Sequence, residues 1–110
     1  MTVQHKELAK GRWNELPFFD QMANVGSEVG RAINWRNKKK VEYSRLSFER
    51  ALELMDLTIS DAKNIKRLRE LTRARESLVD YFAGKNVYGS SDSTWNNYFY
   101  GFNYAARYGR

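Results

Sequence analysis

Apolar residues recur along this chain at intervals of three and four rather than two, and that rhythm predicts helices throughout. Residues 1–14 are polar and unperiodic apart from Trp13, and read as an N-terminal tail whose end can dock. Pro17 suits the first turn of a helix, where its missing N–H is not needed. Behind it Phe18, Met22, Val25, Val29, Ala32 and Ile33 form one apolar face, flanked by a stripe of Ala23, Gly26 and Gly30. Glycine costs about 1 kcal/mol relative to alanine inside a helix, so two of them one turn apart predict close approach of another helix. "WRNKKK" (35–40) is a charged turn. The second predicted helix, residues 41–59, has Val41, Phe48, Leu52, Met55 and Ile59 on one side and Tyr43, Leu46, Leu54 and Leu57 nearly opposite. Two apolar sides place a helix centrally or at an oligomer interface.

"SDAKN" (60–64) supplies turn and cap residues before a third helix ending near Ala83. Its core rhythm is Leu68, Leu71, Arg75, Leu78 and Phe82, with Gly84 placed as a C-terminal cap. "KNVYGSSDS" reads as a loop, and Asp92 or Ser93 as the cap of a last helix with Trp95, Tyr98, Phe99, Phe102 and Ala106 on one face. The expected fold is all-α: an antiparallel four-helix bundle, up-down-up-down, in a single domain over residues 15–110. "SFERALELMDLT" has the look of a tetratricopeptide helix, but no 34-residue self-similarity accompanies it.

Composition narrows the chemistry. The chain of 110 residues is long enough to fold around its own core. It has no cysteine, which excludes disulfides and thiolate metal sites. No apolar run approaches a membrane span and no signal-peptide pattern is present, so a cytoplasmic protein with no membrane partner is expected. A net charge of +6 suits nucleic acid or another acidic partner. The sole histidine, His5, lies in the tail. There is no Glu-x-x-His pair for a di-iron centre and no zinc ligand set, so neither enzyme activity nor a cofactor is expected.

Two interior features carry the opposing reading, an enzyme or small-ligand carrier. Glu42, Glu49, Glu53 and Asp56 share one side of the second predicted helix, within about 60° of one another. Such a stripe is an oxygen-ligand metal site, an acid–base pair, or a set of salt bridges. Arg75 occupies a core position between Leu71 and Leu78. A buried, unpaired guanidinium is costly, so Arg75 should have a carboxylate partner, with Glu28, Glu53 and Asp56 the candidates, or escape to a rim.

Two surfaces carry the leading reading, a self-associating interaction protein. Lys66, Arg69 and Arg73 fall on one helical face opposite the leucines, and Lys38, Lys39 and Lys40 crowd the first turn. Both are candidate phosphate contacts, giving affinity without sequence preference. Tyr100, Tyr104 and Tyr108 repeat along the last helix with Arg107 beside them, the composition of a protein interface. They predict a homo-oligomer; any small-molecule ligand is left open.

The phrases "ANVGSEVGRAINW", "SFERALELMDLT", "LVDYFAGKN" and "YFYGFNYAAR" together resemble a family of small prokaryotic all-α proteins to which no activity is attached. More distantly, size and basicity are similar to the helical bundles encoded in ribosomal RNA intervening sequences and to retroelement accessory proteins. The resemblance implies a four-helix bundle and assigns no site residue.

Overall fold

A short helix that the apolar pattern does not announce opens the described chain. The computed structural model describes residues 6–108, with side chains from residue 11 onward. The helices are α1 (Lys6–Glu15), α2 (Phe18–Asn37), α3 (Val41–Ser60), α4 (Leu68–Ala83) and α5 (Asp92–Tyr108), with a 3₁₀ segment, Ala62–Arg67, leading into α4. There is no strand among the described residues. Four helices were expected; the fifth, α1, lies in the segment read as a tail.

Trp13 explains why α1 is held. Its ring is buried, and its indole Nε1 donates to Thr58 Oγ1 at 3.0 Å. A buried polar cluster fastens the same corner. Gln21 Nε2 donates to the Trp13 carbonyl (3.0 Å) and to Asp61 Oδ2 (2.8 Å), while Asn64 Nδ2 donates to Gln21 Oε1 (2.9 Å) and to the Thr58 carbonyl (2.9 Å). Lys63 closes the cluster by donating to Asp61 and to the Asn14 carbonyl. Burial raises the pKa of the Asp61 carboxyl, but the hydrogen bonds from Lys63 and Gln21 and the Lys63 charge outweigh it. The net result lies below the usual aspartate value.

The α2 face predicted from its spacing is the core: Met22, Val25, Val29, Ala32 and Ile33 are buried. It packs along α3 and α5, while α3 also meets α1 and α4, so α3 is central and its two apolar sides have partners inside the chain. Ser44 and Ser47 are buried on α3, and Ser44 Oγ donates to the Ala32 carbonyl at 2.7 Å; small hydroxyl side chains let these two backbones approach. Leu71, Leu78 and Phe99 are buried as expected. Other residues of the expected apolar faces are less covered: Val41 and Leu68 are exposed, each at the first residue of its helix, and Phe48, Leu52, Ile59, Phe82, Tyr98 and Phe102 are half-buried.

The two glycines of α2 behave differently. A Cβ on Gly26 would come within 2.7 Å of the Phe99 Cβ, so this glycine does admit α5. A Cβ on Gly30 would meet nothing within 4 Å, so the expected close contact is confined to one of the pair. The start of α5 is capped by Ser91 rather than by Asp92 or Ser93. Thr94 N–H donates to Ser91 Oγ (3.1 Å) and Ser91 N–H donates to Thr94 Oγ1 (2.9 Å), a reciprocal pair of the capping-box kind. Asp92 instead ties α5 to its neighbours, accepting from Arg36 (3.0 Å), Asn37 (3.2 Å) and the Tyr81 hydroxyl.

Candidate ligand cleft between the last two helices

Helices α4 and α5 make no extensive backbone contact with each other, and a cleft of about 700 Å³ opens between them. One wall comes from the 3₁₀ segment and α4: Lys66, Arg69, Glu70, Arg73, Ala74 and Ser77. The facing wall is Thr94, Trp95 and Tyr98 of α5, and the intervening loop supplies Tyr88 and Ser90. This volume is in the range of small-molecule sites.

The walls are held from behind. Ala74 is buried against the core one turn beyond Leu71, which turns the Lys66, Arg69 and Arg73 side outward. The loop is fixed by Asp80, whose carboxylate accepts from Val87 N–H (2.8 Å) and Tyr88 N–H (3.0 Å). Asn86 exchanges two hydrogen bonds with Ser90, through its side-chain oxygen (2.8 Å) and its Nδ2 (2.9 Å). Gly89 takes φ +68°, a left-handed conformation that glycine adopts without strain. Tyr88 and Ser90 are therefore presented by a built turn.

Trp95 is only 6 % exposed, with its ring edge-to-face with Tyr98 (centroids 5.7 Å apart) and stacked on Phe99 (6.0 Å). The indole Nε1 and the Tyr98 hydroxyl are both buried without a hydrogen-bond partner among the described residues. An unmatched buried polar atom costs about 1–3 kcal/mol. Burial, with the nearby Glu70 charge second, pushes the Tyr98 hydroxyl up to about 12, so it stays a proton donor through the physiological range. Across from these rings stand three exposed cations that have no ion pair among the described residues, with Glu70 the one carboxylate in the lining. Cations, hydroxyls and aromatic side chains lining one concavity are the chemistry of binding an anion that carries an apolar ring.

The other sequence-derived candidates fall elsewhere. Lys38, Lys39 and Lys40 are exposed in the α2–α3 turn, with Lys39 at φ +61° and the Lys38 ammonium 5.5 Å above the Trp35 ring. They stand at the opposite end of the 20-residue α3 from Lys66, about 30 Å away along that helix, so the two basic clusters do not join. Arg75 does not enter the bundle. At the rim it donates from Nε to Asp56 Oδ1 (2.7 Å) and from Nη2 to Oδ2 (3.3 Å), which satisfies the guanidinium at half exposure. Its place in the leucine rhythm marks the edge of the core.

The α3 carboxylates are also engaged separately. Glu42 and Glu49 both accept from Arg45. Glu53 is held above the usual glutamate value, first by burial and then by the charges of Glu49 and Asp56, and its Oε1 is buried without a partner. Among the described residues no group of three acidic or histidine side chains is placed to hold a metal. Tyr100, Tyr104 and Tyr108 are 68, 56 and 67 % exposed, and with Asn103 and Arg107 they border a shallow hollow of about 380 Å³. Trp13 is seated on Thr58 and not on this strip.

Three wall residues of the cleft, Tyr88, Trp95 and Tyr98, were not singled out as a site from the sequence. Helical spacing assigned Trp95 and Tyr98 to the core and nothing marked them as facing a gap. No family profile, curated protein or solved structure matches the chain.

Proposed function

We propose that this protein binds a small anion carrying an apolar ring in the cleft between α4 and α5. The carrying observation is the juxtaposition of Lys66, Arg69 and Arg73 on one wall with Trp95 and Tyr98 on the other. This keeps the small-ligand reading of the sequence but moves it from Arg75 and the α3 carboxylates, which are paired or dispersed, to a cleft those residues do not line. It also treats α2 to α5 as antiparallel neighbours. Asp92 meeting Arg36 at one end of α2 and Phe102 meeting Phe18 at the other support that arrangement.

The test uses 8-anilinonaphthalene-1-sulfonate, an aromatic anion whose fluorescence rises on desolvation. The expected result is saturable binding at one site, weakened by about tenfold or more in Arg69→Glu/Arg73→Glu, with unchanged helicity. Binding that ignores the double variant, or absent binding by a natively folded chain, contradicts the proposal.

Self-association is a second reading, supported by the exposed tyrosine strip, since monomers seldom leave a contiguous patch of this kind uncovered. Tyr104→Glu puts a charge at its middle and should reduce the sedimenting mass while preserving helicity. An unchanged mass would remove this reading. Binding of nucleic acid through the same three cations is tested by the RNA arm described next.

A further inference from the structure

The lining of the cleft narrows the ligand beyond "anion with a ring", and the argument rests on the proposed binding function. Lys66, Arg69 and Arg73 are spaced three and four residues apart, so their positions run for about 10 Å along the wall. A single carboxylate or sulfonate is too short to reach all three along that row. A short chain of phosphates can engage all of them.

The opposite wall asks for hydrogen-bonding capacity as well as apolar area. The Trp95 Nε1–H is a donor only, and the neutral Tyr98 hydroxyl is a donor that no acceptor among the described residues takes up. Neither atom touches solvent, and Tyr98 packs edge-to-face on Trp95 (5.7 Å), Phe99 (4.9 Å) and Phe102 (5.2 Å), so engaging them requires the Tyr98 ring to move off these neighbours. A planar heterocycle with ring nitrogens or a carbonyl offers acceptors to both, and a hydrocarbon ring offers none. Ser77 on the α4 wall and Ser90 in the loop carry hydroxyls suited to a sugar, and Glu70 can accept from a sugar hydroxyl or an exocyclic amine.

We propose that the ligand is a nucleoside di- or triphosphate, its phosphates along Lys66, Arg69 and Arg73 and its base against Trp95 and Tyr98. A plain polyphosphate would leave the aromatic wall unused. A nucleoside would leave the cations unused. Longer single-stranded RNA shares the same chemistry, but its added phosphates would have to run beyond the roughly 10 Å row.

The experiment is displacement of the bound anilinonaphthalene sulfonate from the full chain by ATP, GTP, ADP, adenosine, inorganic tripolyphosphate and a single-stranded RNA octamer. ATP or GTP is expected to displace it at least about tenfold more tightly than tripolyphosphate or adenosine, the discrimination a matched polar site achieves. Tyr98→Phe keeps the ring and removes the hydroxyl. It should weaken the nucleotide severalfold more than it weakens the dye or tripolyphosphate. Arg73→Glu should weaken nucleotide and tripolyphosphate together. Dye binding without nucleotide displacement overturns the nucleotide assignment while leaving the binding function intact. Tripolyphosphate matching ATP, an RNA octamer exceeding every mononucleotide, or a nucleotide affinity indifferent to Tyr98→Phe each overturns it as well. Failure of the dye itself to bind removes the parent reading instead.

Discussion

Adding one methyl group to each glycine of α2 should change stability in opposite directions. At Gly26 the new Cβ would meet the Phe99 Cβ at 2.7 Å, its Cγ at 2.9 Å and its Cδ1 at 3.0 Å. Real Cβ atoms do not come this close, so either the ring or the helix that carries it must move. Phe99 has little freedom to do so. It is buried, stacked on Trp95 and edge-to-face with Tyr98 at 4.9 Å, and its Cβ is tied directly to the α5 backbone. Overpacking of this kind costs about 1–3 kcal/mol, offset by about 1 kcal/mol of helix propensity gained on replacing glycine. Gly26→Ala should therefore lose up to about 2 kcal/mol net.

Gly30 is its internal control. The same methyl finds nothing within 4 Å there, so only the propensity term remains and Gly30→Ala should gain about 0.5–1 kcal/mol. Urea denaturation followed by circular dichroism measures both, and the two midpoints should move apart on either side of the parent. At roughly 4 °C per kcal/mol, thermal midpoints should separate too. A Gly26→Ala variant as stable as its Gly30→Ala counterpart would refute the claim that Gly26 seats α5. Because Phe99 follows Trp95 and Tyr98 on the same helix, displacement of α5 should also lower affinity for the dye.

Three further outcomes follow from the buried polar groups. Trp13→Ala should cost about 3–5 kcal/mol, since it removes a buried ring and the bond to Thr58, and a neutral result in urea denaturation would mean α1 is not part of the folded unit. Asp61 and Asp92 are both held below the usual aspartate value, so their stabilisation is complete above the unfolded carboxyl pKa of about 4 and is lost as pH falls through the lower folded values. Urea midpoints should drop as pH is lowered through that window, and less steeply in Asp61→Asn; an equal slope would contradict the role given to Asp61. Glu53 has the opposite sign: its folded value is raised, so its charge opposes folding near neutrality and that penalty fades as pH falls through the raised value. Glu53→Gln should raise the midpoint at neutral pH and lose its advantage in acid, and a lowered neutral midpoint would count against the burial argument.

The parts of this fold that were legible in the sequence are those set by periodicity. The α2 face from Met22 to Ile33 and the α4 leucines Leu71 and Leu78 are buried because a repeating apolar stripe can only be satisfied inside. Helix α1 was illegible because it is held by tertiary contacts, Trp13 on Thr58 and the Trp13 and Asn14 carbonyls on Gln21 and Lys63, and its own sequence carries no stripe. Arg75 was legible through its cost: spacing placed it on the leucine face, and the expense of an unpaired guanidinium pointed to a carboxylate or a rim. It meets Asp56 at a rim, whereas spacing alone did not choose among three carboxylates. The cleft was half legible. Its cations were visible as an outward face of one helix, whereas Trp95 and Tyr98 read as core. What makes them a wall is the separation of α4 and α5, a property of how four other elements pack.

The most direct test of the cleft is the indole region of a ¹⁵N–¹H spectrum. The chain has three tryptophans in different settings: Trp13 bonded to Thr58, Trp35 half-buried beside Tyr43, and Trp95 in the cleft wall with its N–H unpartnered. On titration with the anilinonaphthalene sulfonate, the Trp95 indole signal (assigned by its loss in Trp95→Phe) should shift progressively, together with backbone amides of residues 66–77 and 88–98. The Trp13 signal should stay in place. Shifts concentrated at Tyr100, Tyr104 and Tyr108, or a stationary Trp95 signal at saturation, would contradict the account.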